Sequence, residues 1–410
     1  MRDLGIIYLH PFSKSLGTAT ATLGFARQLA QRGLIIHIFS LYEPDGQFEP
    51  NIYIHNLNLN FLPDFTYDFL RFFYSIPLIS RNLILNVRFM RKNALMIAKA
   101  IIDKIEEKNL NIDLIESEEL HTYEASIDVG RRLDIPSVAR IHNLNVEEFA
   151  DLRLIDRQGK QYNALKKYTE KNLDEMDLII TLTEYARTYL NIHFDVDIRK
   201  IRCIPIGVDE KFVKSCTDSY EEHVGSKRPC RIIYSGSLTD NENVDLFINS
   251  INIKKDLKTP VEYHLTGKGG KKSYYEKLCK RLNHEVHFGW FELKTEYRDF
   301  LSKGYIGVIP WADVPSRRIG FPMKLLDYLS AGLPVVATKI GGWSEIIESE
   351  NIGYNSDLTD VAFSEAIESL VNLPEMAYKM SENALRIVRN EFSWERIMNL
   401  YEKEVLQAIV

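Results

Sequence analysis

The sequence predicts an α/β protein built as two doubly wound domains, and three observations carry that prediction. Short apolar runs alternate with amphipathic stretches along almost the whole chain, the mark of a parallel sheet covered by helices on both faces. The rhythm breaks once, into Pro, Gly and Asp in "KIRCIPIGVDEKFV" (200–213), and then restarts. The length of 410 residues suits two domains with sizeable cores.

Along the chain, "LGIIYLH" reads as a first buried strand. A helix follows from about Ala19 to Arg32 and stops at Gly33, ahead of the strand "LIIHIFS". "IDLIES", "PSVARIH" and "MDLIITLT" continue the series with helices between them. After the polar stretch "TDSYEEHVGSKRPC", a second series runs "RIIYSGS", "VEYHLTG", "EVHFGWF", "YIGVIPW" and "LPVVAT". The joint falls near 204–209, so the expected domains are 1–205 and 206–390. The last stretch, 391–410, contains "SWERIMNLYEKEVLQAIV", a helix whose apolar positions must pack on something.

Composition narrows the function classes. An apolar fraction of 45%, a charged fraction of 26% and a net charge of −6 are ordinary for a soluble globular protein and give no reason to expect a nucleic-acid partner. The four cysteines (Cys203, Cys216, Cys230, Cys279) form no C-x-x-C pair, which argues against a disulfide framework or a structural zinc site and fits a reducing cytoplasm. The N-terminus is too briefly apolar for a signal peptide, and no run reaches the length of a membrane span. One segment stands apart: 61–100 carries six Lys/Arg against two Asp, with seven aromatics packed into 61–74.

The richest stretch is "IGFPMKLLDYLSAGLPVVAT" (319–338). Pro322 suits the first turn of a helix, where its missing N–H costs nothing. The other free N–H groups there, with the macrodipole, make an anion site. Leu325 and Leu329 fall on one side of the helical wheel, and Lys324 and Asp327 share the other. That pair reads either as a phosphate cation beside a ribose-binding carboxylate or as an i,i+3 ion pair on a surface helix.

"GFPMKLLDYLSAGLPVVATKIGGWSEIIE" resembles the signature of the retaining glycosyltransferases of family 4, which have the GT-B fold: two Rossmann-like domains facing each other across a cleft, with a C-terminal helix crossing back to the N-terminal domain. "KIRCIPIGVDEKF", "YSGSLTDNENVDLFINSI", "YHLTGKGG", "VHFGWF", "GVIPW" and "FSWERIMNLYEKEV" resemble further elements of that family in its order and spacing. The resemblance implies that Asp327 binds the ribose hydroxyls of a nucleotide-sugar. It puts the backbone of Gly320, Phe321, Pro322 and Met323 against the diphosphate, with Gly236, Ser237 and Gly267 in the strand-end turns of the donor domain. The main chain at Trp290 and Phe291 would meet the base, although both are equally at home as core aromatics.

On the N-terminal side, "GTATATLGFARQLAQRG" places Gly17 between the first strand and helix. A dinucleotide fingerprint would need three glycines there, which argues against a dehydrogenase. In the resembled family a glycine at that place lets the chain approach donor or acceptor; a tight turn is the plain alternative. "PSVARIHNLNVEEF" supplies His142, which the resemblance sets against the donor sugar in a positioning role.

The pattern also departs from the family. The Arg and Lys that pair with the diphosphate are replaced by Ser237 and Glu242, and a second carboxylate is replaced by Ile319. Arg317, Arg318, Lys324 and Lys268 are the cations available to take over that charge. The implied reaction moves a sugar from a nucleoside diphosphate sugar to an acceptor hydroxyl with retention, needing no metal and no cofactor, since no Asp-x-Asp stands at a strand end. The aromatic and basic segment 61–100 implies a saccharide or lipid-linked acceptor and peripheral contact with the cytoplasmic face of a membrane; its bland reading is a core-filling helical pair. The missing Arg, Lys and Glu motivate a second hypothesis, a non-catalytic subunit supporting a partner glycosyltransferase.

Overall fold

The computed structural model describes residues 3–8, 17–42, 49–59, 86–209, 211–213, 229–251, 253, 257 and 259–409. The chain divides into two compact units, Met1–Ile206 with Met398–Val410, and Gly207–Ile397.

The first unit holds seven described strands: β1 (Asp3–Ile7), β2 (Ile35–Ser40), β3 (Ile52–Asn56), β4 (Leu114–Ser117), β5 (Ser137–Ile141), β6 (Leu178–Thr181) and β7 (Ile201–Cys203). They pair in the order β3-β2-β1-β4-β5-β6-β7, all parallel. The order reverses between β1 and β4, so the connections leave in opposite directions and open a crevice at the carboxyl ends of those strands. Buried helix faces cover the sheet; Ala94, Ile97, Ile101 and Ile105 of the helix Val87–Lys108 lie in one core cluster with Phe39 and Ile115.

The second unit repeats the plan with β8 (Cys230–Ser235), β9 (Val261–Thr266), β10 (Val286–Gly289), β11 (Ile306–Ile309), β12 (Val335–Thr338) and β13 (Gly353–Ser356). Their order is β10-β9-β8-β11-β12-β13, again parallel, with the reversal between β8 and β11.

Three details differ from the sequence expectation. "IRC" is not part of the break but pairs with β6 as the edge strand β7. β3 and β13 are also edge strands that the apolar pattern does not mark. Gly17 is not in a loop: it is the first residue of the helix Gly17–Gln31.

The C-terminal helix Trp394–Tyr401 starts in the second unit and ends in the first. At its start, the Val208 N–H donates to the Phe392 carbonyl at 2.7 Å, and Gly207 leaves room for Trp394, whose ring any Cβ there would strike. At its end, Tyr401 donates to buried Glu116 at 3.0 Å and packs edge-on against Phe25, while Arg32 donates to Asn399 and Glu402, each at 2.8 Å. The apolar positions of 393–410 are therefore accounted for in part by packing on the helix Gly17–Gln31.

Candidate active site

The second unit gathers its chemistry at the strand-order reversal. The helix Met323–Ser330 lies on β11 and β12, close to β11 because Gly307 has no side chain to hold it off; a Cβ there would meet the Tyr328 ring. Tyr328 fixes the docking, its hydroxyl accepting from the Ser235 N–H at 2.8 Å. The helix stops because Gly332 turns left-handed at φ +68, with the Leu333 N–H returning to the Tyr328 carbonyl at 2.9 Å.

Lys324 sits one turn before Tyr328, so it points the same way, into the sheet end. It is 8% exposed, and its ammonium donates to Glu242 Oε2 at 2.5 Å and to the Tyr234 hydroxyl at 3.3 Å. This corrects the helical-wheel expectation: Lys324 does not share an outer face with Asp327, and it pairs with Glu242 instead. Burial outweighs the attraction of Glu242 and lowers the pKa of Lys324 below its usual value.

Glu242 is the hub. Besides Lys324, its Oε2 accepts from Trp311 Nε1 at 2.8 Å and lies 3.0 Å from the Tyr234 hydroxyl, while Arg317 Nη2 is 3.4 Å from Oε1. Burial alone would raise its pKa, but the charges of Lys324 and Arg317 and the two hydrogen bonds hold it down at about 2. Two cations meet one carboxylate here, and their charge lies beside a helix N-terminus that carries no side-chain cap.

Two glycines let the backbone close around this charge. Gly236 (φ +153) follows β8, and a Cβ on it would lie 2.6 Å from Lys324 Nζ. Gly267 (φ +157) follows β9 and presses so close to the Gly236 carbonyl that a Cβ would collide with it. The Gly236 N–H donates to the Thr266 carbonyl at 3.0 Å and the Gly267 N–H to the Gly289 carbonyl at 2.9 Å, which ties the three strand ends together. Ser237 is exposed beside Gly236.

The other predicted residues fall in three places. Asp327, on the same helix, accepts from the Tyr297 hydroxyl at 3.2 Å. Burial raises its pKa to about 6 against that hydrogen bond and the nearby Lys294 and Arg298 charges. Phe291 packs on Phe300 and Tyr297, and Trp290 lies under Lys268, whose ammonium is 4.3 Å from the ring centre. Gly320 closes the short helix Pro315–Ile319, Phe321 packs on Phe392, and Pro322 stands at the cap just before Met323 instead of inside the first turn.

Of the four cations expected to replace the missing pair, Lys324 and Arg317 converge on Glu242. The other two do not. Arg318 is held bidentately by Asp313 at 2.5 and 2.8 Å, and Lys268 covers Trp290. Arg317 stacks over Trp311 at 4.6 Å, and its buried Nε has no hydrogen-bond partner.

In the first unit, Glu118 directly follows β4 and His142 directly follows β5. Thr22 donates to Glu118 Oε2 at 2.5 Å, and His142 Nε2 lies 3.5 Å from Glu118 Oε1. Neither that nitrogen nor that oxygen makes a hydrogen bond. The sequence singles out His142 but not Glu118, Tyr234, Trp311 and Tyr297, because nothing in an aromatic or a strand-end carboxylate marks it before the strand order is known.

Residues 17–212 match the profile of Glycosyltransferase Family 4, and residues 218–386 match that of Glycosyl transferases group 1. The chain is 23% identical to the uncharacterized glycosyltransferase MJ1607 of Methanocaldococcus jannaschii, over 72% of this chain and 78% of that one. It spans about half the length of several other curated relatives it matches. Among solved structures, a sucrose-phosphate synthase from Thermosynechococcus elongatus superposes with a TM-score of 0.78 at 16% identity, covering 100% of both chains. HepE of Anabaena, solved in complex with UDP, superposes with a TM-score of 0.71 at 14% identity, also over 100% of both.

Proposed function

The chain belongs to the family 4 glycosyltransferases of the GT-B fold, and from that premise we propose that it moves a sugar from a nucleoside diphosphate sugar to an acceptor hydroxyl with retention of configuration and without a metal. The observation that carries this reading is the Lys324–Glu242–Arg317 cluster against Gly236, at the strand-order reversal of the second unit. Leaving-group charge has to be stabilised by groups already in place. There a buried ammonium, a guanidinium with an unused buried Nε and an uncapped helix N-terminus lie together, and two glycines let the strand-end backbone close on them.

In this reading the diphosphate rests against Met323, Lys324 and Gly236, and Asp327 accepts from the ribose diol. The main chain at Trp290 and Phe291 meets the base, and Ser237 and Gly267 complete the turn. The UDP in the HepE structure supports a nucleotide as the ligand. The base, the sugar and any hexosyl preference are for experiment to choose. In this reading His142 has a positioning role toward the transferred sugar, and Gly17 lets the chain approach donor or acceptor.

The acceptor reading rests on 61–100. Residues 60–85 lie outside the described residues. Of the remainder, the helix Val87–Lys108 turns Arg88, Arg91, Lys92 and Lys99 outward, together with Leu95 at 61% exposure and Met96 at 38%. Cations interleaved with exposed apolar side chains suit a surface of anionic headgroups, which supports a lipid-linked saccharide acceptor on the cytoplasmic face. Among the described residues no helix is long and apolar enough to cross a membrane.

Calorimetric titration with UDP-, GDP- and ADP-sugars, followed by NMR of the product anomer in the presence of EDTA, tests the proposal. Binding of one nucleotide class and retained configuration in EDTA support it. A chain that binds none and turns over none would instead be a supporting subunit.

A further inference from the structure

At the edge of the second sheet the strand register assembles three side chains that the donor-site reading leaves unused. Glu262 and His264 stand two apart on β9 and so share a face, while Tyr263 and Leu265 are buried on the other. His287 of the edge strand β10 is the register partner of His264, so its ring rises from that same face. The two imidazoles stack with centroids 4.8 Å apart and 27° between planes, and His264 Nε2 lies 3.3 Å from Glu262 Oε2. One donor atom from each of the three falls within 4.8 Å of the others, the one such His/Cys/carboxylate group among the described residues.

We propose that Glu262, His264 and His287 bind a late first-row divalent cation, with Zn²⁺ as the type case. Two imidazole nitrogens and one carboxylate oxygen are the donor set that such cations take, leaving open positions for water. Zn–N and Zn–O bonds of about 2.0–2.2 Å put tetrahedral donors roughly 3.3 Å apart. The Glu262–His264 pair already has that separation, so only His287 has to close in, and its side chain is exposed. The surroundings are those of a supported site. Arg231 Nε donates to Glu262 Oε2 at 3.0 Å and orients the carboxylate, and Phe300 packs edge-on against His264, centroids 5.5 Å apart. The Arg231 charge opposes a cation and weakens the site without closing it.

The cation would pin the edge strand β10 to β9, a bond across the one side of β10 that has a strand neighbour. The residues after β10 run directly into Trp290 and Phe291, and Phe291 and His264 both pack on Phe300. The site is separate from the Lys324–Glu242 cluster and stands or falls independently of sugar transfer.

Zn²⁺ titrated into tag-free, chelator-stripped full-length protein against a chromophoric competitor, with Co²⁺ absorption as a second probe, tests this. The wild type is expected to bind one Zn²⁺ per chain and to gain thermal stability with it. His287→Ala, which removes an exposed side chain, should weaken binding at least tenfold and abolish the thermal gain, with His264→Gln following. Uptake of no Zn²⁺ by the wild type, or equal stoichiometry and affinity in the wild type and His287→Ala, would overturn the proposal.

Discussion

Lys324 holds its ammonium 2.5 Å from Glu242 Oε2, although the two residues are 82 positions apart and Lys324 is the second residue of a helix, where the backbone disfavours a cation. Glu242 ends the short turn Asp240–Glu242 that follows β8, so the pair ties the start of the helix to the end of that strand.

The pair should behave as a coupled unit. Removing one partner from a buried pair leaves an uncompensated charge, so Glu242→Gln and Lys324→Met should each lose about 3 kcal/mol or more of stability in urea unfolding. The double variant should lose less than the sum, and a double-mutant cycle measures that coupling. Because the Glu242 pKa is depressed to about 2 from 4.5, its contribution is present above pH 4.5 and fades as pH falls toward 2. Acid unfolding of Glu242→Gln should consequently be less steep over that window than that of the wild type.

Asp327 titrates in the opposite sense. Its pKa is raised to about 6, so it is a carboxylate at neutral pH and takes up a proton as pH falls through 6. Nucleotide affinity should drop below about pH 6 if the carboxylate accepts from the ribose. Asp327→Asn should weaken donor binding about 10- to 100-fold at pH 7.5 and flatten that pH dependence. Its melting temperature should not fall, since a raised carboxyl pKa means the charged form costs stability above pH 6. Unchanged affinity with a large loss of stability would make Asp327 structural. Tyr297→Phe removes the hydrogen bond that holds this pKa down and should move the affinity midpoint upward.

Much of this was legible in the sequence, for physical reasons. Buried parallel strands such as "RIIYSGS" and "LPVVAT" are continuous apolar runs, and the helix stop at Gly332 is a left-handed turn that glycine announces. β3, β7 and β13 were not legible because "IYIHN", "IRC" and "GYNS" are each too short or too polar to show a continuous apolar run. A helical wheel could not place Lys324, since it shows which residues share a face but not which face the sheet covers. Glu242 could be seen as a departure from a motif; that it faces Lys324 depends on the strand order. His264 and His287 are adjacent only through the β9–β10 register, so their spacing along the chain gives no sign of it.

Gly236→Ala is a sharp local probe. A methyl group there would lie 2.6 Å from Lys324 Nζ and demand φ +153 of an alanine. The variant should lose donor affinity by about tenfold or more, with a smaller fall in melting temperature than Glu242→Gln gives.

The outward face of the helix Val87–Lys108 predicts binding to anionic vesicles at low salt that declines as salt is raised. Replacing Arg88, Lys92 and Lys99 by Gln should reduce sedimentation with such vesicles while leaving nucleotide affinity unchanged. A wild-type protein that ignores anionic vesicles would contradict the membrane reading.

The central claim concerns where the pyrophosphate goes, and a crystal soaked with the tightest-binding nucleotide sugar measures it directly. The account predicts both phosphates against the amino end of the helix Met323–Ser330, with an oxygen within hydrogen-bond reach of Lys324 Nζ and the ribose on Asp327. A nucleotide bound elsewhere, with Lys324 still enclosed by Glu242 and no phosphate beside it, would contradict it.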